Sequence, residues 1–85
     1  MKVAIKKRYK VTVIKRATQE ILAAYYFMSL QEVEMLFLSP FVEVPCGRAL
    51  YEYLVSELDE NDNYQPLYSK CSMEFHGSAR NQKML

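Results

Sequence analysis

The sequence holds one histidine, two cysteines, two glycines and no tryptophan, and each scarcity closes off a class of chemistry. His76 stands at the end of the last candidate strand, where nothing in the sequence fixes the geometry that a general base needs. Gly47 and Gly77 are isolated, so no glycine-rich loop cradles a phosphate. No serine or cysteine falls in a nucleophile motif. The neighbouring carboxylates Glu57, Asp59 and Glu60 are explained more simply as a solvated helix end than as a catalytic pair. The expectation is a protein that is not an enzyme and holds no cofactor.

Long apolar runs are missing as well. The longest, Ile21–Met28, is far short of the roughly 20 residues that cross a bilayer. Lys2, Lys6, Lys7, Arg8 and Lys10 break up any signal-peptide core. These features place the chain in the cytoplasm and away from membranes. In a reducing cytoplasm Cys46 and Cys71 are thiols, most simply small buried hydrophobes. Together with His76 they supply three metal ligands where structural zinc recruits four in short paired spacings, so no metal site is expected.

What the sequence does have is segregated charge. Residues 1–16 carry seven of the eleven Lys and Arg and no acid. Residues 17–69 carry nine of the ten acids against the single base Arg48. The net charge of +1 hides this separation, which fits either a surface for a charged partner or a basic strand neutralised by acidic neighbours.

Eighty-five residues make one domain, placed at 1–76 with a small polar tail at 77–85. Val3, Ile5, Tyr9, Val11 and Val13 alternate with Lys2, Lys6, Arg8, Lys10 and Thr12, the period of a half-buried strand. Ile21–Met28 is apolar on both sides, and the stretch Arg16–Glu20 between the two is the length of a hairpin turn. Ser29-Leu30-Gln31-Glu32 is a capping box, with Met28 and Val33 placed as a hydrophobic staple. A helix from Leu30 to about Leu38 follows and ends before Pro40. Leu50, Tyr53, Leu54 and Leu58 form a stripe at helical spacing, which predicts a second helix from Pro45 to Leu58. From Leu67 to Phe75 alternation returns, with Leu67, Cys71, Met73 and Phe75 inward. The predicted fold class is α+β: a small antiparallel sheet made of a hairpin and a third strand, with two short helices on one face, in the order β-β-α-α-β.

The segment RYKVTVIKRATQEILAAYYFMSLQEVE resembles the strand-turn-strand-capped-helix opening of small phage-encoded accessory proteins, the anti-CRISPR and other host-takeover proteins among them. It covers about a third of the chain, and Gln19 stands where such hairpins usually place glycine. The resemblance implies an inhibitor that covers the working surface of a host protein.

Two function classes remain. A protein-binding module would use the tyrosines and methionines, seven and five in number, that are enriched at interface centres. Its candidate surface is an acidic face of Glu57, Asp59, Glu60 and Asp62 with Tyr51 pointing outward from the second helix. A homodimer through the double-sided Ile21–Phe27 strand is a further option. The alternative is a nucleic-acid binder using Lys6, Arg8, Lys10 and Arg16 of the basic hairpin, with Tyr9, Tyr25 or Tyr26 stacking on unpaired bases.

Overall fold

The first hairpin forms where the alternation predicts it. The structure, a computed structural model, describes residues 7–38 and 40–75. Strand β1 (Tyr9–Lys15) pairs antiparallel with β2 (Glu20–Phe27), and Gln19 closes the turn at a φ of 64° without the help of glycine. Val11 and Val13 are fully buried, as the period-two pattern requires. One bulge interrupts the ladder, at Leu22.

Helix α1 (Leu30–Leu36) starts on the predicted cap. The Ser29 hydroxyl accepts from the Glu32 amide at 3.2 Å, and the Glu32 carboxylate accepts in return from the amides of Ser29 and Met28. Val33 and Leu36 are buried on its sheet side, while Met28, the intended half of the staple, stays half exposed. Phe37 ends the helix. Its ring, with those of Phe41 and Tyr53, makes an edge-to-face cluster with centroids 4.9–6.1 Å apart.

The second predicted helix does not exist. Its start is a 3₁₀ turn, Cys46–Arg48, and its body is strand β3 (Tyr51–Leu58). Among the described residues the sheet therefore has four strands and one α-helix lies on it, correcting the expected three strands and two helices to the order β-β-α-β-β. The physical reason lies in a second periodicity within the same residues. Tyr51, Tyr53 and Val55 alternate with Glu52, Leu54 and Ser56, and aromatic and β-branched side chains suit a pleated surface. Pairing on both sides then fixes the choice, since β3 lies between β1 and β4 (Tyr64–Ser72) and hydrogen-bonds to each.

The sheet order is β2-β1-β3-β4, all antiparallel. The connection from β2 to β3 carries α1 over one face, then reaches the outer edge of β4 at the Glu43–Ser72 bridge and the Cys46–Cys71 disulfide before it enters β3. The core on that face is Val11, Val13, Phe27, Val33, Leu36, Tyr53 and Val55. The third predicted strand appears as β4, shifted toward the N-terminus and with its sides exchanged. Tyr68, Lys70 and Ser72 pair with Val55, Tyr53 and Tyr51 and so share the helix-covered face, while Cys71 pairs with Glu52 on the other. Residues 77–85, read as a tail, lie outside the described residues.

Candidate functional site

Cys46 and Cys71 are not thiols. They form a disulfide, with Cα atoms 5.1 Å apart, that ties the 3₁₀ turn to the end of β4. Reading them as two buried hydrophobes holds only for Cys71, which is fully buried; Cys46 is exposed. Bonded to each other, they have no thiolate to offer a metal. His76, the third ligand considered, lies outside the described residues, among which no cluster of three metal-ligating side chains occurs. Two further contacts secure the same corner. Glu43 bridges to Ser72 beside β4, and the Val44 amide donates to the Cys71 carbonyl at 2.9 Å.

The residues of the basic hairpin are dispersed. Arg8 pairs with Glu57 at 3.1 Å, so the basic strand partly neutralises an acid of its own sheet. The Tyr9 side chain, and after it the Glu57 carboxylate, raise the Arg8 pKa further. Arg16 turns back to donate to the carbonyls of Cys46 and Ala49, holding the loop that enters β3. Lys6 lies outside the described residues. Only Lys10 remains on an open surface, its ammonium 5.8 Å from the Tyr26 ring and 5.5 Å from the Tyr64 ring. The two rings are themselves 5.9 Å apart.

The acidic face is not a helix end. Glu57 is in β3, and Asp59, Glu60 and Asp62 form the tip of the β3–β4 hairpin. Asp59 is used structurally: its carboxylate accepts from the amides of Asn61 and Asn63 at 2.8 and 2.9 Å and from the Gln65 side chain at 2.9 Å. The Asn63 amide above all, with Gln65, holds its pKa below the ordinary carboxylate range. Glu60 and Asp62 are exposed, and Asp62 takes a φ of 66°. Tyr51, expected to point outward from a helix, instead packs beside the core with its ring 6.0 Å from Phe75.

The surface that sequence reasoning missed is the sheet face opposite α1. Lys10, Thr12 and Ile14 of β1 stand there beside Tyr26, Ala24 and Ile21 of β2 and beside Ser56, Leu54 and Glu52 of β3. Ser69 and Pro66 extend it across β4. Among the described residues no strand and no α-helix lies over the middle of this face, while the disulfide-bonded turn Cys46–Arg48 closes its Cys71 corner. Its centre mixes Leu54 and Ala24 with the buried Thr12 and Ser56, with Lys10 toward one end of the strands and Glu52 toward the other. The alternation of β1 was the signal available for it, but its β3 half was hidden inside the supposed helix.

On the helix side, an open groove lies between α1 and β4, lined by Glu34, Phe37, Leu38, Tyr68 and Lys70. Another, beside the disulfide, is lined by Val44, Pro45, Arg48 and Met73. Neither brings a nucleophile within reach of a base. No described helix is long and apolar enough to cross a membrane. Compared with models of known protein families, with curated proteins and with solved structures, the chain matches none of them.

Proposed function

We propose that the chain is a non-enzymatic protein-binding module whose docking surface is the sheet face opposite α1. One observation carries the reading: among the described residues α1 covers one side of the four-stranded sheet, and the other side presents the exposed Ile21 and Tyr26 beside the half-buried Ile14 and Leu54. Such a face is costly to leave bare in water. Its partner is a protein with an apolar patch, flanked by an acid opposite Lys10 and a base opposite Glu52. This agrees with the mode of action that the phage-accessory resemblance implies, the covering of a host protein's working surface. The acidic hairpin tip is the weaker candidate, because Glu57 and Asp59 already have partners within the chain. As to compartment, a cytoplasmic site of action would keep Cys46 and Cys71 reduced, whereas the bonded pair fits oxidising surroundings.

A nucleic-acid reading survives on a different observation. Tyr26, Lys10 and Tyr64 form a cationic aromatic corner of the same face, the kind of platform on which unpaired bases stack. Arg8 and Arg16, engaged within the chain, do not add to it.

Capture from host lysate with and without nuclease, repeated with Leu54→Glu, tests the two. Protein binding requires a captured band that survives nuclease and is lost in the variant, while circular dichroism shows the variant folded. Binding that nuclease abolishes, matched by salt-sensitive titration of single-stranded oligonucleotides, would replace the proposal with the second reading.

A further inference from the structure

An open four-stranded sheet has two edges, and this chain guards them unequally. Both edge strands carry one bulge, at Leu22 in β2 and at Leu67 in β4. β4 has more: Pro66 withholds a donor, Lys70 adds charge, and the Glu43–Ser72 bridge covers its last residues. Each is a device that discourages pairing with another chain. From Ala23 to Phe27 β2 has none of them, and Glu20 at its start is its single charged residue. Large apolar side chains line the same edge and continue onto α1: Ile21 is 65% exposed, Met28 51%, Tyr26 42% and Leu30 37%.

We propose that β2 pairs antiparallel with β2 of a second copy, about a two-fold axis through Ala24. A two-fold normal to the sheet keeps both helices on one side and allows only registers in which residues of the same face meet. Centred on Ala24, Ala24 meets its own copy on the axis, Ala23 faces Tyr25 and Leu22 faces Tyr26, so tyrosine never meets tyrosine across the seam. The bulge at Leu22 sets Ile21 on the face of Ile14 and Glu20 on the face of Lys15, so the matched seam runs from Leu22 to Tyr26. No like charges meet along the seam. The product is one eight-stranded sheet with two α-helices on one side. This inference does not depend on what the face opposite α1 binds.

The experiment is sedimentation of the oxidised protein over a wide concentration range, together with single-cysteine crosslinking. The mass should rise with concentration from 10.0 kDa to twice that value. Ala24→Cys should give a reductant-sensitive dimer under mild oxidation, since directly opposed residues have Cα atoms about 4.5–5.5 Å apart. Glu60→Cys, on the exposed hairpin tip, should not. Ala24→Lys sets two ammonium groups face to face on the axis and should shift the dimer midpoint at least tenfold toward monomer. A wild type that stays monomeric at about millimolar concentration overturns the proposal. So does a dimer that Ala24→Lys leaves intact and Ala24→Cys fails to trap.

Discussion

The two hairpins share a sheet but are held in different ways. β1 and β2 are joined by the short turn ending at Gln19; β1 also pairs with β3 and sends Arg8 to Glu57 and Arg16 to the Cys46 and Ala49 carbonyls, whereas β2 has beyond its ladder with β1 the capped start of α1. β3 and β4 are joined through Asp59–Asn63, whose backbone the Asp59 carboxylate gathers, and their far end is fastened by the disulfide, the Glu43–Ser72 bridge and the Lys70–Glu43 ion pair at 3.3 Å. The Tyr53 hydroxyl, buried beneath Phe41, adds a bond to the Glu74 carbonyl at 3.1 Å. The covalent link thus falls on the second hairpin, and among the strands of the first it is β2 that relies on backbone pairing and packing against β1.

The sharpest way to break this difference is to cut the disulfide. The cysteines are 25 residues apart in sequence, and constraint of a loop of that length in the unfolded chain is worth about 3.5 kcal/mol in the chain-entropy account, within a usual range of roughly 2–4. Reduction, or Cys46→Ser, should lower stability by that order in denaturant unfolding. Amide exchange should rise first at Tyr68–Ser72 and later, if at all, at Val11–Ile14. Equal loss in both hairpins would show that the sheet responds as one unit and that the contrast has no energetic content.

A smaller effect tests the other side. Ser29→Ala removes the cap on which the exit from β2 depends and should cost roughly 0.5–2 kcal/mol. Its melting curve should fall without exposing the β3–β4 hairpin. Superimposable melts for variant and parent would mean that the capping box contributes no net stability.

The parts of the fold that were legible are local. A capping box spans four residues and the β1 alternation seven, so each can be read without knowing what lies opposite. β3 was not legible in this way. Leu50, Tyr53, Leu54 and Leu58 mimic a helical stripe, and what overrules them is pairing with β1 across some forty intervening residues. Attention to the β-branched and aromatic run Tyr51, Tyr53, Val55 would have favoured the strand. The cysteines were misread through an assumed compartment, since nothing in their spacing shows that a loop folds Cys46 back onto Cys71. The docking face followed β3 into error: half of it was placed on a helix that does not form.

The gentlest test uses acid. Asp59 sits half-buried at the hairpin tip, its carboxylate accepts three hydrogen bonds, and its pKa lies below that of the unfolded chain. A depressed folded value means that the ionised group favours the folded state. Its contribution is complete above the unfolded carboxylate value of about 3.9 and disappears as pH falls through the lower folded value. Asp59→Ala should therefore be less stable than the parent near neutrality, and the two denaturation midpoints should converge as pH drops below about 4. Because the carboxylate is open to solvent, the gap is the smallest of the three effects. It should be sensed at Asn61 and Asn63, whose amides lose their acceptor, before it is sensed in β1 or β2. A midpoint difference that persists unchanged into strong acid would assign the effect of the substitution to the turn backbone, not to the charge on Asp59.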